Sequence, residues 1–198
     1  FRDTNLTLGL RYTHDKRKWQ GMMEFDAPFP IPSFGDQASQ TFKKLTWRAA
    51  LDHRINENTL IYISANRGFK SGGLNDSQVP AALYQPEVLD AFEVGLKTEA
   101  FDNRLRFNTA AFYYDYKNIQ VSRYQDGNIV IYNGAGAEVY GLDLDAQALV
   151  TQNLSVTAGV SLMKNKYTSF PNADITTPIP GGGTNIGTGD ARGNKLSH

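Results

Sequence analysis

"FEVGLKTEAFDNRLRFNTAAFYYDY", residues Phe92 to Tyr116, decides the fold. Phe92, Val94 and Leu96 alternate with Glu93, Gly95 and Lys97, and after the polar break "FDNR" (101–104) Leu105, Phe107, Thr109, Ala111 and Tyr113 alternate again. A period of two is the signature of a strand with one apolar face, because successive side chains point to opposite sides of the backbone. Asp and Asn at the break supply tight-turn chemistry. The stretch therefore reads as two long antiparallel strands joined by a short turn.

The same pattern extends outward along the chain. In "NLSVTAGVSLM", Leu154, Val156, Ala158, Val160 and Leu162 share one face. "YGLDLDAQA" sets Leu142, Leu144, Ala146 and Ala148 against Gly141, Asp143, Asp145 and Gln147, and "LTWRAALDHR" sets Leu45, Trp47, Ala49 and Leu51 against Thr46, Arg48, Ala50 and Asp52. "LTLGLRYT" follows suit near the start. Short turns at "NEN" (56–58), "FDNR" and "TQN" (151–153) alternate with the longer segments "MEFDAPFPIPSFGDQASQ", "SGGLNDSQVPAALYQP", "RYQDGN" and "PNADITTPIPGGGTNIGTGDARGN". Short turns on one rim and long loops on the other are how antiparallel outer-membrane barrels are built, the long loops facing outward. Several strands also exceed the roughly 9 to 11 residues that cross a bilayer. Alternation alone leaves open a soluble sandwich or a lipocalin-like barrel. Strand length, loop alternation and thin apolar faces with Ala, Thr and Gly among the Leu and Val favour the all-β transmembrane barrel, here a partial one of about seven to eight meandering strands forming a curved open sheet. Tyr12, Trp19, Tyr113, Tyr116, Tyr124, Tyr132 and Tyr167 near strand ends are expected to supply interfacial aromatics.

Composition narrows the function. Twenty Lys+Arg balance twenty Asp+Glu in the 198 residues, so no basic face for nucleic acid is expected. The absence of cysteine excludes thiolate zinc sites, a cysteine nucleophile and disulfides. No apolar run reaches the roughly 18 residues of a transmembrane helix, which bears on helical membrane proteins only. The opening "FRDTNLTLGLRY" has no initiator Met or secretory pattern, and the chain reads as a piece of a longer protein. "RGFKSGGLN" (67–75) has its lysine ahead of the glycine pair and no helix start after it, unlike a phosphate-binding loop. His14, His53 and His198 are scattered without metal-ligand spacing, no G-x-S-x-G elbow occurs, and Asp143 with Asp145 reads as lumen lining rather than an acid–base pair. No metal, no cofactor and no catalysis are expected.

Three stretches, "LIYISANRGFKSGGLN", "YQPEVLDAFEVGLKTEAFDNRLRFNTAAFYYDYKNIQV" and "NGAGAEVYGLDLDAQA", resemble the barrel domain of TonB-dependent outer-membrane receptors of the siderophore-receptor type. The resemblance is carried by the GFK-SGG rim; by Pro86, Glu87, Glu93, Gly95 and Lys97; by Phe112, Tyr113, Asp115 and Tyr116; and by Ala137, Gly141 and Asp143. It implies that 1–198 is a fragment of the β-barrel domain, of the 22-stranded class with a plugged lumen. The plug domain, the energy-coupling segment and the C-terminal closing strands would lie outside it. Implied function is active uptake of a scarce solute, most often an iron-siderophore chelate, at the bacterial outer membrane. Implied partners are lipopolysaccharide, the protein's own plug and the TonB complex. A passive porin or an outer-membrane barrel enzyme is the competing class, and an upstream plug domain separates the two.

The expected site follows from strand parity. Arg48, Asp52, Glu93, Lys97, Glu99, Arg106, Asp143 and Asp145 should face the lumen, since an Arg or Lys facing lipid at mid-bilayer costs roughly 2 to 4 kcal/mol. Lys70, Asn66, Tyr84, Tyr124 and Tyr132 are the expected ligand contacts at the extracellular mouth. Arg67 and Phe69 should point outward, Arg67 toward lipopolysaccharide phosphates, and Gly72 and Gly73 should let the chain bend off the wall.

Overall fold

The computed structural model describes residues 3–23, 34–75, 82–125 and 128–196, so the middles of the first two long loops, the Asp126–Gly127 tip and His198 lie outside the described residues. Seven long strands form one antiparallel sheet in chain order: β1 (Thr4–Met23), β2 (Phe34–Asn56), β3 (Thr59–Lys70), β6 (Glu87–Ala100), β7 (Leu105–Gln125), β8 (Asn128–Thr151) and β9 (Leu154–Ser169). Two small hairpins stand apart, β4 (Gly73–Asn75) with β5 (Ala82–Tyr84), and β10 (Ala173–Pro178) with β11 (Thr184–Gly189). The backbone of Tyr167 on β9 also exchanges hydrogen bonds with Gly193 and Asn194, each 2.9 Å, so the chain returns to the β9 edge after the second small hairpin.

Register turns the alternation into two faces. Leu6 pairs with Leu51, Leu51 with Ile63, Ile63 with Val94, Val94 with Ala111, Ala111 with Leu142, and Leu142 with Leu162. That row crosses the whole sheet without a polar side chain. Above it run Leu8, Ala49, Ala65, Phe92, Tyr113 and Tyr140. These rows are uncovered: Leu6, Leu8 and Leu10 are 65%, 70% and 79% exposed, and Val160 and Leu162 exceed half. A soluble sandwich would bury such rows under a second sheet. An uncovered band that wide belongs in hydrocarbon, and Leu154 to Leu162, about nine residues at ~3.3 Å each on a tilted strand, suits the apolar thickness of a barrel wall.

The turns confirm the local chemistry of "FDNR". Phe101, Asp102 and Asn103 adopt φ of 55°, 55° and 63° in succession. Arg104 then ties the turn down, its guanidinium donating to the carbonyls of Leu149 and Val150 at 2.9 to 3.2 Å. At the opposite end two expectations change. "RYQDGN" is no long loop; β7 and β8 continue to Gln125 and Asn128, so the reach beyond the wall comes from strand extension. Tyr116 and Tyr167 are not girdle residues either. They pack with Ala135, Ala137, Ala173 and Ala191 in a small cluster on the polar side, and Trp19 lies on that side as well by alternation from Tyr12. The aromatics at the upper edge of the apolar band are Tyr12, Trp47, Phe92, Tyr113 and Tyr140.

Candidate functional site: the polar face and the folded mouth

The second face carries the polar rows. Arg48 stands beside Asn66; Asp52 beside Tyr62, then Gly95, Ala110 and Asp143; Ser64 beside Glu93 and Phe112; Lys97 beside Asn108 and Asp145. Glu99 and Arg106 occupy the same face near the short turns and form an ion pair at 2.9 Å. All eight charged residues named from the sequence thus share the face opposite the apolar band. Several are already partnered. The Tyr62 hydroxyl donates to Glu93 at 2.6 Å, Lys97 Nζ lies 5.6 Å from the Tyr62 ring, Arg48 donates to Asn66 at 3.2 Å, and Asn5 donates to Asp52 at 3.0 Å.

This face also holds large aromatics, and glycine makes room for them. A Cβ on Gly95 would run into the Tyr62 ring, and one on Gly141 would sit 2.7 Å from the Phe112 ring. Phe112 in turn stacks on Tyr114 at 4.9 Å between ring centroids. Tyr62 therefore sits on the polar face lying flat across its neighbour strand, which explains why Leu60 and Tyr62 blur the alternation of β3.

At the long-loop end the connections are folded onto the wall. Asn75 on β4 is 5% exposed, accepts from the Ile131 backbone N–H at 2.7 Å and donates to the Ile131 carbonyl at 2.8 Å. Asn133 accepts from the Gln85 backbone N–H at 2.5 Å and donates to the carbonyls of Gln85 and Asn118 at 2.8 and 2.9 Å. Gln120 donates to the carbonyls of Ser71 and Gln85, while its own N–H donates to Glu87 at 3.0 Å. These amides staple the segment after "RGFKSGG" to the outer part of β7 and β8. Gly72 and Gly73 serve that closure, and neither needs a positive φ. Both are buried, a Cβ on Gly72 would lie 2.6 Å from the Phe42 ring, and one on Gly73 would strike the Tyr84 ring.

The expected ligand contacts do not form one cluster. Asn66 and Lys70 lie on the polar face of β3, Asn66 already engaged by Arg48 and Ser64, Lys70 exposed at the strand end. Tyr84 is half-buried against Gly73. Tyr124 and Tyr132 fall on opposite faces of the β7–β8 ribbon, because Tyr124 pairs with Ile129 and Tyr132 with Val121. Tyr124 is 75% exposed, whereas Tyr132 donates to the Asn172 carbonyl at 3.0 Å beneath the Arg123 guanidinium. Burial pushes the Tyr132 phenol above its ordinary value and keeps it a neutral donor. The staples Asn75, Asn133 and Gln120 escaped sequence reading altogether. Asn75 and Ile131 are 56 positions apart, and no local pattern joins them.

On the lipid side, just above the apolar band, Arg67 and Phe69 share the parity of Ile63 and Ala65. Arg67 spends its guanidinium fork on Asp90, with two contacts of 2.6 Å, and Lys117 closes on Asp90 and Asp115 at 3.1 and 3.0 Å. Arg67 is a rim ion pair, held within the wall.

An uncovered apolar band, a polar opposite face, tight turns at one end and folded loops at the other define the wall of a transmembrane β-barrel. The chain belongs to the TonB dependent receptor-like β-barrel family, whose description matches residues 2–197. It is similar in fold to the ferric yersiniabactin uptake receptor FyuA from Yersinia pestis, at 20% identity and a TM-score of 0.71 over 85% of this chain and 25% of that one. It is also similar to the ferric-catecholate import receptor Fiu from K12 E. coli, at 18% identity and a TM-score of 0.63 over 87% of this chain and 27% of that one. The alcaligin outer-membrane receptor FauA from Bordetella pertussis aligns at 19% identity and a TM-score of 0.56, over 84% and 28%. The chain thus spans about a quarter of the solved chains it matches. Its place is the bacterial outer membrane, and the family is one of transport receptors rather than enzymes.

Proposed function

We propose that the protein is an outer-membrane receptor that binds a ferric-siderophore chelate and imports it with energy drawn through the TonB complex, a plug domain filling the barrel of which this sheet is part. The observation that carries the reading is the family match across nearly the whole chain. The folded mouth supports it, since a receptor for a scarce solute gains from loops held in place before the ligand arrives. In this reading Lys70 and Tyr124 are the ligand contacts among the expected residues, both exposed and neither in an ion pair among the described residues. Asn66 positions Arg48, and Tyr84 and Tyr132 shape the mouth. The polar face carries the lumen-lining charges that pack against the plug.

The test is uptake of radioactive iron, presented as single purified siderophores, by an iron-starved strain with the gene deleted and restored. Restored uptake that collapses when proton motive force is dissipated is the expected result. Diffusion of small solutes through the restored protein, insensitive to uncoupling, would make it a passive porin instead. Lys70→Glu in the full-length protein, with surface expression checked, should weaken siderophore binding at low salt, and unchanged affinity would remove Lys70 from the site.

A further inference from the structure

The polar face changes character toward its upper edge. Between the outward rows of Leu8 and Leu10 it presents Gly9, Arg48 and Asn66; one step further up β1 and β2 come Arg11 and Thr46, then Thr13 and Lys44. Arg48, Arg11 and Lys44 therefore zigzag across β1 and β2, each diagonal to the last at about 7 to 8 Å between backbones. None of the three makes an ion pair among the described residues, and Arg48 spends one donor on Asn66. The nearest acids on this face are already engaged: Asp15 by Arg17 at 2.9 Å, Glu87 by the Gln120 N–H at 3.0 Å, Glu93 by the Tyr62 hydroxyl and Asp52 by Asn5. Arg11 and Arg48 overhang a hollow of about 490 Å³. Its floor is short of side chains: a Cβ on Gly68 would meet nothing within 4 Å, one on Gly9 only the Arg48 Cβ at 3.8 Å, and Ala91 stands opposite Asn66. The seam also parts here, because the β2–β3 pairing ends at Trp47 and Arg67 while β1 and β2 stay paired to Met23 and Phe34.

A guanidinium fork matches a carboxylate with two parallel hydrogen bonds, so neighbouring arginines over an open hollow select an anion with more than one carboxylate. No aromatic side chain of the polar face lines the hollow, and catechol rings would find nothing to stack on. The rings of that face lie elsewhere, Tyr62 over Gly95 and Phe112 over Gly141 and against Tyr114. A neutral hydroxamate would leave the cations unpaired. We infer that Arg11, Arg48 and Lys44 form a lumenal subsite for a carboxylate-bearing ferric chelate, whose uncoordinated carboxylates supply the negative charge that this part of the wall lacks. The site lies below the rim: Lys70 is four residues, about 13 Å, further along β3 than Asn66. A chelate entering the mouth thus passes from a single lysine to the paired arginines. The inference rests on the siderophore reading given above and narrows its substrate class.

The experiment measures binding to the purified full-length receptor in detergent micelles by tryptophan fluorescence, with three probes: iron(III) citrate, a ferric tris-catecholate and a neutral ferric trihydroxamate. The citrate complex should bind at least tenfold more tightly than either of the others. The double variant Arg11→Gln, Arg48→Gln should lose at least tenfold in affinity for it, and Arg48→Lys alone several-fold, since an ammonium keeps the charge without the fork. Lys164→Gln, on the outward face of β9, should keep the parental value. Parental affinity of the double variant for the citrate complex, an equal loss for all three probes, as a purely structural role of the arginines would give, or an equal loss in Lys164→Gln would each overturn the assignment. Proton-driven uptake of the tris-catecholate or the trihydroxamate by a receptor that does not bind the citrate complex would overturn it too, while leaving the siderophore reading intact. Uptake of no ferric chelate at all would overturn both. Heat-modifiable gel mobility verifies folding, and Arg48→Lys decides the matter if the double variant does not fold.

Discussion

The two faces of this sheet are built by different rules. The outward face is sequence-tolerant chemistry: an unbroken aliphatic row from Leu6 to Leu162, flanked by rows that admit Thr and aromatics, with most of its large side chains exposed. Its stabilisation comes from lipid. The opposite face is specific, with Tyr62 laid over Gly95, Phe112 over Gly141 and stacked on Tyr114, and Glu93 held by a hydroxyl. Here these side chains are fitted to named neighbours. A single strand such as β6 therefore obeys solvation on its Phe92, Val94 and Leu96 side and packing on its Glu93, Gly95 and Lys97 side.

The most severe way to break the contrast is to put charge on the outward face. Leu8→Arg should destabilise folding into vesicles by about 2 to 4 kcal/mol, read from urea titration, whereas Thr157→Arg on the polar face should cost under about 0.5 kcal/mol. Equal effects would mean that the outward face sees water. Next in size is a methyl group on the fitted face. Gly95→Ala should cost about 1 to 3 kcal/mol by driving into the Tyr62 ring, and a Tyr62→Ala background should abolish most of that cost. Persistence of the full penalty without the ring would place the constraint in the backbone.

A smaller effect is expected at the mouth. Asn75→Ala leaves both backbone groups of Ile131 without their partner and should cost about 1 to 2 kcal/mol locally, seen as faster protease cleavage within 71–86 while the vesicle-folding midpoint moves less than for Gly95→Ala. An unchanged cleavage rate would show that the loop is held by something other than this amide. The slightest change is at the turn, where Asp102 has φ of 55°. Asp102→Gly should stabilise by no more than about 0.5 kcal/mol, since relief of the left-handed conformation is largely offset by a more flexible unfolded chain. A loss of stability would assign Asp102 a contact beyond its backbone.

Legibility in the sequence follows the same division. The outward rows were readable because solvation acts on each residue separately, so Leu154, Val156, Val160 and Leu162 announce their face without knowing their neighbours. Parity was also enough to gather Arg48, Asp52, Glu93, Lys97, Asp143 and Asp145 on one face, opposite the apolar band. Tyr62 was not, because only the glycine across the strand permits an aromatic there. Arg67 was assigned its face correctly by parity with Ile63 and Ala65, yet its partner Asp90 lies 23 positions on, and the bidentate pair makes it a structural ion pair rather than a free cation. The mouth was the least legible part. "RYQDGN" looks like a loop by composition, but register with β8 carries Arg123, Tyr124 and Gln125 in a ladder to the tip.

The strand order also bears on how the wall comes into being. Neighbours in the sheet are neighbours in the chain throughout, the pair β3 and β6 being separated only by the small β4–β5 hairpin. Each new hairpin can zip onto the exposed edge of the last, closing a short loop at a modest entropic cost, and no strand has to wait for a distant partner. The kinetic barrier of assembly is thereby divided into a series of similar small steps. Errors of register are caught hairpin by hairpin, because a one-residue slip would turn the row from Leu6 to Leu162 toward the lumen and the row of Glu93 toward lipid.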